Sequence, residues 1–428
     1  MEITSRLHKS PFFLKNGKQI SNMEFIRNIN GYRELLLTQK AKKVILKLES
    51  PQLFAAAFFA AASLKISIVL LPNYQDGTIS LNHDEFDFMV EGIPLKKGRE
   101  TGEIYLDPLT DIFLFTSGSS GQSVKVEKKL ENLLIECKEL ERQFSHIGDG
   151  SLFVSTVSFI HIYGLLFRLL WPLLYGHKVS NFAIEYEEDI EGLSNKEMSK
   201  YVFVSSPAFL KRLGKKISKK GFSGIFSSGG RLERMFAELV FNKYSLYPIE
   251  IYGSTETGGV ALRTQENGNN LWTTFDEVVL KQRKDLCLTV YSPYIQNGSF
   301  ETQDIIQLES DSQFLLKGRI DRIFKVEEKK VSLIELEERL VQSSHVEQCH
   351  CLVLESSHRS MIACLVVESS ESSFKGLTKL KKVQILKTYL GQYYDQLLVP
   401  KKFRFLKELP YNEQSKLSYN SVREYFEN

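Results

Sequence analysis

The sequence predicts an α/β protein: a large α/β domain over residues 1–320 that closes in a β-rich region, followed by a small α+β domain over residues 321–428. Three observations carry that reading. Short apolar runs alternate with helix-period patterns through the first 260 residues, the rhythm of a parallel sheet with crossover helices. After Gly259 the texture changes to short alternating runs, and from Ser332 strand and helix patterns mix in a compact stretch. At 428 residues the chain holds two or three domains of roughly 150 residues, each large enough to bury its own core.

Taken in order, residues 44–48 form an apolar run of strand character, and Ser50-Pro51 then supplies a helix N-cap and a proline at the first helical position. A helix through 54–63 and a strand at 66–71 complete a strand-helix-strand unit. Residues 111–116 are a strand ending in a glycine and hydroxyl loop, after which Leu130, Leu133, Leu134, Cys137, Leu140 and Phe144 mark one face of a helix. Further strands are expected at 152–157, 201–205, 224–228 and 248–252. The β-rich region follows at 277–281, 286–291 and 313–316. The small domain is expected to hold a helix at 333–341, strands near 349–354 and 361–367, a helix at 377–389 and a strand at 402–406, with the boundary near Asp321.

With 43% hydrophobic, 25% charged and 11% aromatic residues, the composition excludes collagen-like, disordered and disulfide-scaffold classes. Lys and Arg number 55 against 52 Asp and Glu, and this balance of +3 gives no basic footprint, so no nucleic-acid partner is expected. Cys137, Cys287, Cys349, Cys351 and Cys364 are too few and too irregularly spaced for a secreted disulfide framework. Residues 1–10 are polar, and Lys65 and Arg168 accompany the most apolar stretches. The expectation is a cytoplasmic protein with no membrane span.

Two loops promise chemistry. In Phe115-Thr116-Ser117-Gly118-Ser119-Ser120-Gly121, glycines allow close backbone approach, while hydroxyls and exposed N–H groups suit an anion such as a triphosphate, with Lys125 nearby. The spacing is not that of the standard P-loop, and a flexible turn is the plain alternative. In Tyr252-Gly253-Ser254-Thr255-Glu256, a carboxylate flanked by hydroxyls suits Mg2+, which takes one or two carboxylates plus phosphate oxygens. Alone, that stretch reads equally as a capped turn.

Together these loops resemble the adenylate-forming superfamily of acyl-CoA synthetases, aryl acid ligases and nonribosomal adenylation domains. Further motifs follow in the order that family has them: His161-x-x-Gly164, Gly229-Gly230, Asp304 in Glu301-Thr302-Gln303-Asp304, and Gly318-Arg319-Ile320-Asp321 with Lys325, Val331 and Glu335. Leu409-Pro410 and Lys416 end the series. Residues 161–175 and 324–332 are most similar to the short acid:AMP ligases of aryl polyene-type clusters.

The resemblance implies that Thr116, Ser117, Gly118, Ser119, Ser120 and Gly121, with Lys125, wrap the triphosphate of ATP. Thr255 and Glu256 would hold the α-phosphate and Mg2+. Gly229, Gly230 and Tyr252 would sandwich adenine, with Gly253 and Ser254 in the same turn. Asp304 would take the ribose hydroxyls, beside Arg319 and Lys325. His161 would stand at the wall of the acid pocket, a hydrogen-bonded core histidine being the alternative, and Phe159, Tyr163 and Trp171 are either pocket lining or plain core. Lys416 would bridge the substrate carboxylate and the α-phosphate. An aimed donor where charge develops is typically worth roughly 2.7–4 kcal/mol.

The implied reaction turns an aryl, cinnamyl-like or fatty acid into an acyl adenylate with release of pyrophosphate, then transfers the acyl group to CoA or to the phosphopantetheine of an acyl carrier protein. A mobile lid would turn about Asp321 between the steps. Three positions depart from the family pattern. One extra residue precedes Lys125, Glu328 replaces the glycine that lets a pantetheine arm pass, and Ser415 replaces the glycine before the last lysine. A non-catalytic nucleotide-binding relative and an adenylating enzyme with an amine or hydroxyl acceptor therefore stay open. Cys349-His350-Cys351 with Cys364 reads as buried thiols rather than a metal site. Lys375, Lys379, Lys381, Lys382 and Lys387 read as a solvated face, with contact to a carrier protein or CoA phosphates the alternative.

Overall fold

Ser50 begins the first buried helix as its sequence dictates: its hydroxyl accepts from the Leu53 amide at 3.4 Å, and Pro51 is the first residue of helix Pro51–Ser63. Phe54, Phe58 and Phe59 of that helix are fully buried, each worth about 1.5–3 kcal/mol of burial. The flanking strands Lys43–Lys47 and Ser67–Leu70 pair in parallel, closing the predicted strand-helix-strand unit. The computed structural model describes residues 1–9, 11–13, 17–94, 102–117, 123–193, 200–214, 216–218, 220–326, 329–356, 359–369, 372, 374, 376–411, 417 and 419–427.

Two of its sheets lie before Ile320. A five-stranded sheet runs in the order Phe88–Glu91, Lys43–Lys47, Ser67–Leu70, Asp111–Ser117, Ser123–Lys129. Its first four strands are parallel, and the last is antiparallel. That last strand is a correction. The glycine and hydroxyl loop leads not into a helix but into Ser123–Lys129, paired with Ser117 opposite Ser123, and helix Leu130–Gly148 begins only afterwards. Sequence reading also passed over helix Asn22–Thr38, capped by the Ser21 hydroxyl, which accepts from the Glu24 amide at 3.2 Å.

A thirteen-stranded sheet holds the rest of the large α/β region. Strands Lys178–Ser180, Leu152–Ser155, Tyr201–Ser205, Phe222–Ser227 and Ile249–Ser254 are neighbours in that order and parallel. Polarity reverses at Gly258–Arg263, which pairs antiparallel with Ile249–Ser254, and the closing strands through Gln313–Arg319 are antiparallel too. The predicted change of texture after Gly259 is thus a change from parallel to antiparallel pairing.

Beyond Ile320 lie an antiparallel pair, Ile323–Val326 with Lys329–Ser332, and a three-stranded sheet of Val346–Ser356, Arg359–Glu368 and Lys402–Leu406. Strand alternation splits the latter into two faces. Cys351, Val353, Cys364 and Val366 belong to the cluster of Leu333, Leu336, Leu340, Leu386 and Leu390, from helices Leu333–Val341 and Lys379–Leu390. Leu352, Ala363, Leu365 and Val367 instead join Val422 and Phe426 of helix Tyr419–Glu427. The mixed α/β class, the β-rich closure and the small α+β unit agree with the sequence. Among the described residues no helix is long and apolar enough to cross a membrane.

Candidate active site

Four neighbouring parallel strands, Leu152–Ser155, Tyr201–Ser205, Phe222–Ser227 and Ile249–Ser254, end at one edge of the large sheet. The residues where they end or that follow them, Thr156, Ser206, Ser228, Gly229, Ser254 and Thr255, line a single cavity of about 150 Å3. Carboxyl ends of parallel strands collect ligand sites because the chain leaves the sheet there in loops whose side chains and amides converge. The cavity lies just where parallel pairing gives way to antiparallel. Leu114 and Phe115 of the five-stranded sheet, Ile160 and Leu166, and Glu136 of helix Leu130–Gly148 supply the remaining wall and floor.

His161 stands half-buried in that wall, as the residue before the helical turn Ile162–Gly164. The turn runs on into a π-helical segment, Leu165–Leu170, a wider helix form that recurs at functional sites. A side chain at Gly164 would stand 2.0 Å from the Ser158 carbonyl oxygen, so only glycine lets the chain fold back this tightly. Tyr163 lines the cavity. Phe159 and Trp171 do not: the Phe159 ring packs on Phe54 at 4.7 Å, and Trp171 lies fully buried against Phe153 and Phe226 while its indole donates to Glu141 at 2.8 Å.

Next in sequence to the cavity-lining Gly253, Tyr252 donates through its hydroxyl to Asp304 Oδ2 at 2.6 Å. Arg319, opposite Asp304 in register, sits 3.6 Å from Oδ1 and donates to Gln303 at 2.9 Å. Burial, and then the Asp304 carboxylate, push the Tyr252 phenol well above its ordinary value, so it stays a donor. Gly229 holds a φ of 90° beside Ser228, whose hydroxyl donates to the Ile251 carbonyl at 2.8 Å and ties the glycine turn to the Tyr252 strand. A Cβ on Gly229 would meet nothing within 4 Å, leaving an open backbone surface.

The turn after Tyr252 is closed by Ser254, whose amide donates to Thr257 Oγ1 at 3.0 Å. Behind it the buried Lys128 ammonium donates to the carbonyls of Glu256 at 3.2 Å and Tyr294 at 2.7 Å. Burial pulls the Lys128 value down, against Glu136 and Glu256. Glu136 is equally buried. Its Oε1 accepts from the Gly259 amide at 2.7 Å, Oε2 has no hydrogen-bond partner, and burial pushes the carboxyl up to about 7. Sequence reading singled out neither residue. Glu136 carried a usable signal, since it lies three residues after Leu133 and four before Leu140, on the face that marked the helix as buried.

The structure therefore brings Gly229, Tyr252, Gly253, Ser254, Thr255, Asp304, Arg319 and His161 to one region. Gly230 and Glu256 adjoin it in the same turns. Lys125 lies elsewhere on the hairpin: its ammonium is 2.7 Å from Glu85 Oε2, which Lys43 shares at 2.8 Å. Thr116 and Ser117 end their strand, Asp321 lies in the short 3-10 turn Ile320–Arg322, and Lys325 in strand Ile323–Val326. Residues 118–121, Glu328, Ser415 and Lys416 lie outside the described residues. Among the described residues no three His, Cys, Asp or Glu side chains form a metal cage. Glu256, a single carboxylate beside the Thr255 hydroxyl, is the donor set that suits a magnesium ion arriving on phosphates.

The mixed α/β fold, with its cavity at the carboxyl edge of the large sheet, is shared along nearly the whole chain with solved CoA ligases and an amide bond synthetase. ATP-bound MatB from Rhodopseudomonas palustris aligns with a TM-score of 0.79 over 99% of this chain and 96% of that one, at 15% identity. The amide bond synthetase McbA from Marinactinospora thermotolerans aligns at 0.79 over 99% and 98%, at 13% identity. MenE from Bacillus subtilis, an o-succinylbenzoate CoA synthetase solved with its acyl-adenylate intermediate, aligns at 0.76 over 97% and 95%, at 14% identity. No family model and no curated protein sequence matches the chain. At such identities the likeness is one of fold.

Proposed function

We propose that the chain is an AMP-forming ligase that activates a carboxylic acid as its acyl adenylate and passes the acyl group to a thiol, of CoA or of a carrier-protein phosphopantetheine. One observation carries the reading. An apolar cavity at the strand ends opens beside a corner shaped for a nucleoside, where Tyr252 and Arg319 hold the Asp304 carboxylate and Gly229 offers bare backbone. The shared fold supports it.

In this reading the adenine lies between Gly229-Gly230 and Tyr252, and Asp304 accepts from the ribose hydroxyls. The phosphates extend past Thr255 and Glu256 toward the loop at residues 116–121. The acid's tail enters the cavity past His161. A carboxylate oxygen of the substrate attacks the α-phosphorus, the bond to the bridging oxygen breaks, and pyrophosphate leaves with that electron pair. A thiolate then attacks the acyl carbon and AMP departs. Bound magnesium supplies positive charge at the phosphates, with Glu256 to hold it, and Lys416 brings the second cation from the lid. The cytoplasm, where ATP and CoA are abundant, is the matching compartment. A second reading keeps the adenylation and changes the acceptor to an amine or hydroxyl. Glu328, in the place of a glycine, favours it, and product analysis with and without CoA or a holo-carrier protein separates the two.

Acid-dependent ATP–pyrophosphate exchange over a panel of aryl, cinnamyl and fatty acids tests the core of the proposal. Exchange is expected only with an acid present, and Lys416→Ala is expected to lower it at least about 100-fold, as for loss of one aimed charge at a reacting phosphorus. Folded protein that binds ATP but shows no pyrophosphate exchange with any acid of the panel would be a binding-only relative instead.

A further inference from the structure

Glu136 does two different things with its two oxygens. Oε1 holds the Gly259 amide, which braces the hairpin carrying Tyr252 and Glu256. Oε2 has no such duty. It is buried without a hydrogen-bond partner, and a Cβ added to Gly258 would meet it at 2.6 Å, while both Gly258 and Glu136 line the cavity. The cavity runs from an exposed mouth at Gly253 and Ser254 to a buried floor at Gly258, Gly259 and Glu136. Ile160, Leu166 and Phe167 are among the apolar residues that line the cavity.

A buried carboxyl oxygen left unpaired is costly, more so if charged, unless something fills the place of the missing donor. Lys128 does not fill it: its ammonium donates to the Glu256 and Tyr294 carbonyls and makes no hydrogen bond to Oε2. We propose that Glu136 is the specificity-determining residue of the acid pocket, and that it selects a carboxylic acid whose tail carries a hydrogen-bond donor, a hydroxyl or an amine, over the plain hydrocarbon isostere. The inference rests on the proposed adenylation and names the substrate class of the same site. The acid's carboxylate lies at the mouth beside Thr255 and His161, and its far end reaches Oε2. A hydrocarbon tail of the same size would seal that oxygen away from water with no partner. Pockets that hydrogen-bond a substrate group reject the analogue lacking it by factors that reach about 10,000, against roughly 10- to 200-fold for a missing methylene.

The test uses the full-length protein at about pH 8, above the value at which the Glu136 carboxyl ionises so that both its oxygens accept, and matched trios of acids, unsubstituted, para-hydroxy and para-amino, on benzoate and cinnamate scaffolds. Two readouts run in parallel: ATP–pyrophosphate exchange, and calorimetric binding of each acid beside a non-hydrolysable ATP analogue. The native protein should prefer a donor-bearing acid at least about 100-fold, and the better of hydroxyl and amine names the donor. In Glu136→Gln the side-chain oxygen still accepts from the Gly259 amide, so the brace is kept, but the atom facing the cavity becomes an NH2 donor. The preference should collapse below about 10-fold or pass to an acceptor-bearing para-acetyl acid. A merely structural Glu136 would leave the ratios unchanged, and equal ratios in the two proteins, or no binding of any trio, overturn the inference. Donor-selective binding without exchange overturns the ligase reading alone, and exchange with an unchanged ratio overturns this inference alone.

Discussion

At the residue scale, the unusual group is a buried carboxyl whose ionisation the fold opposes up to about pH 7. The ordinary value of Glu136 is 4.5, and burial raises it to about 7 against the pull of Lys128 and the Gly259 amide. Between those two values the folded chain keeps a proton that the unfolded chain releases, so the stability it contributes is complete below about 4.5 and is lost as pH rises through 7. Cys137, Tyr294 and Lys128 face the same group and are common to both proteins compared. The melting temperature of Glu136→Gln should therefore gain on that of the native protein between pH 5 and pH 8 in the absence of ligand. Parallel melting curves across that range would show that the carboxyl ionises in the fold at its ordinary value. That Tyr252, Asp304 and Arg319 belong together was legible through the order of motifs in the family that the sequence resembles, and the structure brings the three side chains into contact. Lys128 was not legible, since it stands among charged neighbours and reads as solvated, and Glu136, although its place on the buried helix face was visible, has no named partner until the far wall of its pocket is in place.

At the element scale, what could be read was what depends on local pattern. Buried runs such as 201–205 became the strand Tyr201–Ser205, and the capped helix beginning at Ser332 runs Leu333–Val341 with the Ser332 hydroxyl accepting from the Glu335 amide at 3.3 Å. The strand Ser123–Lys129 was hidden because its alternation of Val124 and Val126 with charged neighbours is too short to stand out, and only pairing with Asp111–Ser117 makes it a strand. The π-helical segment was equally hidden, as one extra residue per turn leaves the apolar run 165–174 unaltered. Its entry depends on Gly164. Gly164→Ala would place a methyl 2.0 Å from the Ser158 carbonyl, and since backbone must move to relieve it, a cost of about 1–3 kcal/mol is expected. In a domain this size each kcal/mol lowers Tm by roughly 2–4 °C. Because the same segment carries His161 and Tyr163, acid binding should weaken more than ATP binding does. A loss of ATP affinity equal to the loss of acid affinity would place the segment outside the acid pocket.

At the scale of the whole molecule, helix Leu333–Val341 of the small C-terminal unit meets the large domain beside the site. Arg231, next to the Gly229-Gly230 turn, pairs with Glu338 of helix Leu333–Val341, but the two side chains are 54% and 41% exposed, and such pairs are worth about 0–1 kcal/mol. Ile334 of the same helix rests on Gly318, where even a Cβ would come within 3.1 Å. Between these contacts the chain passes through one short turn, Ile320–Arg322. If the unit turns about Asp321 to exchange Lys416 for the face that receives the thiol, that turn must absorb the change in φ and ψ, as hinges do. Asp321→Pro fixes φ near −65° and removes one N–H without touching the nucleotide corner. It should then separate the half-reactions: pyrophosphate exchange and thiol transfer from supplied acyl adenylate would part by at least about 100-fold, with the surviving half naming the arrangement that proline fits. Equal loss of both would mean that the turn is needed only for folding, which a lowered Tm would register. Equal retention of both would remove Asp321 as the pivot and leave the two steps to be served by a single arrangement.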